Sequence, residues 1–211
     1  IDRVKQEFRV AAAVRHPNLV RLGELFEHAG SLCFSMELVD GVGLSTWVRA
    51  GDHHARVRAA IGQVAGALAA LHRAGVVHRD VKPSNVVVTV DDRVVLLDLG
   101  LAAAIGAKAL EVAGTVEYVA PESLTMAAPT PAIDLYALGV TGFELLTGRP
   151  PFTGTPIEIL VAKCEHEPPT TTGVTDLPPP LDELITAMLA RDPRARPTAR
   201  DLWRLGLLNH A

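Results

Sequence analysis

Cysteine is nearly absent from the 211-residue chain. Cys33 and Cys164 are the only two, 131 positions apart, so neither a disulfide framework nor a cysteine zinc site is available, and both are expected to be plain buried thiols of a protein kept in the reducing cytosol. Long apolar runs are missing too. The most hydrophobic stretch, 132–148, carries Asp134 and Glu144 and is too short and too charged for a membrane span, so it is expected to be a buried core helix with no membrane contact. Positive charge is not in excess: 20 Lys and Arg face 24 Asp and Glu, which excludes a phosphate-tracking surface and with it nucleic acid as a partner. Internal repeats and low-complexity tracts are lacking, and the charged, helical pattern of the first residues is expected to be part of the fold and no leader. What remains, 48% hydrophobic and 21% charged residues, is the composition of an ordinary globular domain.

Hydrophobic spacing predicts a helix over 2–15 that stops at His16-Pro17-Asn18, because proline disfavours helical geometry in the residue before it. Two strands near 19–27 and 32–38 follow, joined by His28-Ala29-Gly30-Ser31, and then a connector, Asp40-Gly41-Val42-Gly43, with loose backbone. Helices are expected at 44–49, 56–74 (ending at Gly75), 133–146, 156–165, 181–190 and 199–208, with short β-branched strands at 76–77, 86–90 and 94–97. Five prolines make 167–180 a loop. A hairpin with one helix is marginal alone, so the front part must lean on the body or on something absent.

The chemistry concentrates in His78-Arg79-Asp80-Val81-Lys82-Pro83-Ser84-Asn85, followed by Asp98-Leu99-Gly100 and then Ala120-Pro121-Glu122. Six fixed positions in the first motif alone arise by chance on the order of once in ten million starts. In order and spacing these motifs resemble the signature set of eukaryotic-type protein kinases, H-R-D-L-x-x-x-N, D-F-G and A-P-E. The resemblance covers nearly the whole chain and implies an α+β, two-lobed kinase-like fold: a truncated small N-lobe with its hinge at 1–39, and a mainly helical C-lobe at 40–211. It also implies site roles. Asp80 orients the proton of the substrate hydroxyl, Lys82 neutralises the γ-phosphate of ATP, and Asn85 and Asp98 are hard oxygen ligands for Mg2+. Taken alone, Asp98 would read as a turn residue. Met36 falls at the gatekeeper position, the backbone of Glu37 and Val39 would meet the adenine edge, and Val87 would pack beneath the ring. His78, Leu99, Leu22 and Ala11 fall on the regulatory spine, anchored on Asp134, and Glu122 pairs with Arg196. Lys82, together with Gly114-Thr115-Val116-Glu117-Tyr118, resembles the serine/threonine branch, with Thr115 in the platform that seats a protein substrate.

The family's glycine-rich lid and third-strand lysine would lie upstream of Glu7, the residue that matches their helix partner, and only six residues precede it. On the same helix Glu7 also reads as an ordinary solvated glutamate, and Lys5 is on the wrong face to replace the lysine. The chain by itself is therefore expected to bind ATP poorly, and a pseudokinase-like scaffold module is the alternative from another class. Flanking domains are expected in a longer, cytoplasmic protein. Finally, 101–113 contains no Ser, Thr or Tyr, so the usual activating phosphate that would pair with Arg79 has no acceptor there, and Glu111 is the only fixed negative charge in the interval.

Overall fold

The computed structural model describes residues 2–99, 102–104, 114–125, 128–171, 179–198 and 201–202, with side chains for all of these except 2–5, 7, 104, 179 and 180. Helix α1 (Asp2–Ala13) leads into the antiparallel hairpin of β1 (Leu22–His28) and β2 (Ser31–Met36). Ala29 and Gly30 both have positive φ, 50° and 78°, the geometry of a two-residue hairpin turn whose twist matches its strands. Phe8 of α1 packs on Phe34 of β2 with ring centroids 5.6 Å apart.

The front part does lean on the body. Leu19 bridges to Leu96 in parallel, Val20 N–H donates to Leu96 O at 3.0 Å and Leu96 N–H to Asn18 O at 2.9 Å. The Asn18 amide completes the seam by donating to Gln63 Oε1 at 2.6 Å and Val94 O at 2.7 Å. Ala11, Leu19, Val20 and Leu22 consequently belong to the same buried cluster as the helical body.

The expected loose connector is instead partly a strand: β3 (Val42–Gly43) pairs with β5 (Val86–Val88), which pairs with β6 (Val94–Leu96). A side chain at Gly41 would strike the Val88 carbonyl, so glycine is there for close approach as well as for turning. Helices α2 (Leu44–Arg49) and α3 (His53–Arg73) follow; α3 begins earlier than its apolar spacing suggests because the Asp52 carboxylate caps the Ala55 N–H. Strand β4 (Val76–Val77) pairs with β7 (Ala103–Ala104).

Helix α4 (Pro131–Thr147) is buried along nearly its whole length, as its run of apolar residues requires. Cβ atoms at Gly139 and Gly142 would meet Met188 Cβ at 2.8 Å and Ile61 Cδ1 at 2.9 Å, so the two glycines let α6 (Pro179–Met188) and α3 approach closely. Helix α5 (Pro156–Glu165) has the expected ends, set by a capping box in which Thr155 and Glu158 satisfy each other's backbone. In α6 two of the prolines assigned to a loop start the helix instead, at positions where no N–H is needed. Of the helix expected at 199–208 only 201–202 are described, and both are helical; its other residues and the loop segment 172–178 lie outside the described residues. Cys33 is half-buried and Cys164 exposed, both free, which corrects the expectation of two buried thiols. Among the described residues no helix is long and apolar enough to cross a membrane.

Candidate active site

Three elements deliver the polar groups. The turn after β4 carries Asp80 and Lys82, a short 3-10 helix at Pro83–Asn85 carries Asn85, and the segment before a second 3-10 helix at Pro121–Thr125 carries Thr115. The turn is held from beneath by Asp134, fully buried near the start of α4. Its carboxylate accepts from the N–H of His78 and of Arg79, each at 2.8 Å, and from His72 Nε2 at 2.8 Å. Arg79 needs that support, since its φ of 72° is a strained value for a side chain of its size.

The His78 ring is wholly buried and bonded at both nitrogens. Asp80 N–H donates to Nδ1 at 3.3 Å, so Nε2 carries the proton and donates to Leu97 O at 2.8 Å. Burial pushes the pKa of this imidazole down, outweighing the nearby carboxylates Asp134, Asp80 and Asp98, and the neutral tautomer fits both partners. His78, Ala11, Leu22 and Leu99 are all buried.

Asp80, 6% exposed, is the centre of the network. Lys82 Nζ lies 2.8 Å from Oδ2 and donates to Thr115 Oγ1 at 2.7 Å, while the Thr115 hydroxyl reaches Asp80 Oδ1 at 3.3 Å. Asn85 Nδ2 donates to Asp80 Oδ2 at 2.8 Å and to Asp80 O at 2.9 Å. Burial alone would raise the pKa of this carboxyl; the Lys82 and Asn85 hydrogen bonds and the Lys82 charge more than offset it and hold it below the usual carboxylate range. Asp80 is thus a carboxylate at neutral pH.

Beside this network a cleft of about 610 Å³ is lined by Lys82, Thr115, Glu117, Tyr118 and Glu144, among others. Tyr118 donates its hydroxyl to Glu144 Oε2. The segment is anchored at its far end by Glu122, which meets Arg196 through both carboxylate oxygens at 2.6 and 2.8 Å, a bidentate pair in the expected place.

Asp98 is exposed on the loop after β6, with φ of 52°. Glu37 donates its N–H to Arg21 O at 2.8 Å, and Val39 and Val87 are half-buried. Glu7 lies on α1, but its side chain is outside the described residues, as are Glu111 and most of 101–113.

The sequence as a whole is similar to known proteins. A family model described as "Protein kinase domain" matches residues 1–206. The chain belongs to this family. It is 38% identical over 97% of its length to Serine/threonine-protein kinase PkaA of Streptomyces coelicolor, and 36% identical over 93% to Serine/threonine-protein kinases PknJ and PknL of Mycobacterium tuberculosis. It spans 39%, 36% and 51% of the lengths of those three relatives. The α+β architecture and the serine/threonine kinase names of these relatives agree with the motif reading. Two features of this kinase domain carry no sequence signal: the Tyr118–Glu144 contact, made across 26 positions, and the burial of Lys163 of α5 against the backbone of Val116, Glu117 and Val119.

Proposed function

We propose that this protein transfers the γ-phosphate of ATP to a serine or threonine hydroxyl of a protein substrate. The observation that carries the reading is the convergence of Asp80, Lys82, Asn85 and Thr115 within hydrogen-bond distance at the edge of an open cleft. Asp80, ionised and fixed by Asn85, accepts or orients the proton of the incoming hydroxyl. Lys82 places a cation where negative charge builds up on the transferring group, and at rest it is held by Asp80 and Thr115. Thr115 belongs to the platform on which an extended peptide lies, next to the general base.

The donor set fits a hard cation. Asn85 commits its Nδ2 to Asp80, which leaves Oδ1 for a metal, and Asp98 offers an exposed carboxylate on the adjoining loop. Mg2+ held there supplies charge neutralisation across the phosphates of ATP. The Glu37 carbonyl and the backbone of Val39 border the adenine, with Val87 beneath it. In this reading 1–39 is the remainder of the small lobe with its hinge and 40–211 the large lobe, flanked by further domains in a longer protein. Two free thiols and a need for ATP support a cytoplasmic location for the domain.

The test is turnover of the protein as its gene encodes it. Asp80→Asn preserves shape but removes the proton acceptor and should lower kcat by about 10²–10⁴; parent-like turnover would remove Asp80 from the role.

A further inference from the structure

Lys163, on α5, is 2% exposed, yet no carboxylate lies within ion-pair distance of it among the described residues. Its Nζ instead donates to three backbone carbonyls of one short segment: Val116 O and Glu117 O at 2.7 Å each, and Val119 O at 2.8 Å. An ammonium has three donors and no acceptor, so the three oxygens exhaust it. The Tyr136 ring of α4 lies 5.4 Å from the same nitrogen. These carbonyls belong to the stretch between Thr115, which touches Lys82 and Asp80, and Ala120-Pro121-Glu122, which Arg196 fixes to the body. Carbonyl dipoles converging on one point repel each other, so the turn they form needs a buried cation at its centre.

Resting on the kinase reading above, we propose that Lys163 is the positioning residue of the protein-substrate platform, its ammonium gathering the carbonyls of Val116, Glu117 and Val119 so that Thr115 and Tyr118 face the cleft in the geometry an acceptor peptide requires.

The charge of this residue is poised. Burial pushes its pKa down to about 7, with Glu117 and Cys164 opposing. The other charged or titratable groups around it are Tyr136 and, over the same ring at 4.8 Å, Arg196. The lowered pKa measures the cost of burying the ammonium, which the three carbonyls and the Tyr136 ring offset only in part. The role rests on the geometry: three donors meet three carbonyls of one segment.

Two measurements test this. In steady-state phosphoryl transfer by the protein as its gene encodes it, Lys163→Met should raise KM for a serine or threonine peptide about tenfold or more while leaving KM for ATP within about twofold. Unchanged peptide KM, or an equal change in both constants, would overturn the proposal. An inactive parent would instead count against the kinase reading and leave the second measurement decisive. That measurement is hydrogen exchange of the 116–120 amides in the parent, in Lys163→Met and in Lys163→Gln, which keeps two N–H donors: faster exchange in the variants, with the amides of 78–85 unchanged, supports the role. Equal protection in the parent and Lys163→Gln contradicts it even if Lys163→Met fails to fold.

Discussion

Removing the guanidinium of Arg196 tests how the active-site platform is tied to the helical body. The side chain is fully buried and all five of its N–H groups are used: Nε donates to Ala190 O at 2.8 Å, one terminal nitrogen to Glu122 Oε1 at 2.6 Å and Ala132 O at 2.9 Å, and the other to Glu122 Oε2 at 2.8 Å and Arg191 O at 3.2 Å. The plane also covers Tyr136 at 4.8 Å. Arg196→Met keeps the apolar stem but leaves the Glu122 carboxylate, 19% exposed, without its cation, together with three carbonyls short of a donor. Breaking a buried pair from one side costs about 3–5 kcal/mol. At about 2–4 °C per kcal/mol for a chain of this size, that is a fall in Tm of roughly 6–20 °C. Arg196→Lys has three donors for five acceptors and should fall between parent and Met. The double variant Glu122→Leu, Arg196→Met should be less destabilised than the sum of the single variants, because no orphaned charge remains. Urea and thermal unfolding followed by circular dichroism measure the parent, the three single variants and the double variant. A loss under about 1 kcal/mol for Arg196→Met, or strict additivity in the double variant, would refute this account of the anchor.

Asp134→Ala should free two buried N–H groups, on His78 and Arg79, at a cost of about 1–3 kcal/mol each; amide exchange at exactly those two positions should accelerate before the rest of the core opens. Acid should weaken the fold in two stages. His78 is buried neutral with its pKa below the ordinary 6.5, so the unfolded chain takes up its proton first: this contribution is complete above about pH 6.5 and is lost as pH falls below it. The depressed Asp80 carboxyl adds a second loss only as pH falls through its still lower folded value. His78→Gln should flatten the unfolding free energy between pH 6.5 and 5, apart from the slope due to His16, whose pKa burial also lowers. If Asn85 holds Mg2+ as proposed, Asn85→Ala removes that ligand and the restraint on Asp80 together, so the Mg2+ concentration for half-maximal transfer should rise at the same time as kcat falls; a change in only one would separate the two roles.

Local signals account for what could be read from the chain. Helix α5 was legible to the residue because Thr155, Pro156 and Glu158 write its start into three adjacent positions. The turn that carries Asp80, Lys82 and Asn85 was legible because the chemistry proposed for it demands particular residue types at short spacing. Strand β3 was not: Val42 and Gly43 are strand only because Val87 and Val88 arrive more than forty residues later, and the glycines read as slack. Lys163 escaped for the same reason. Its neighbours on α5, Ile157 and Val161, are exposed while the lysine is buried, an inversion of the usual helix pattern set by the platform carbonyls and invisible to hydrophobic spacing. The early start of α3 shows a third case, where a single cap, Asp52, outweighs the polar character of the residues that follow it.

The central claim, that the Asp80 cluster carries phosphoryl transfer to protein hydroxyls, is met most directly by incubating the protein as its gene encodes it with γ-labelled ATP, Mg2+ and a protein acceptor, and identifying the labelled amino acid by mass spectrometry. The account predicts phosphoserine or phosphothreonine with the parent and almost none with Asp80→Asn. No label with either protein, or equal label with both, would contradict it.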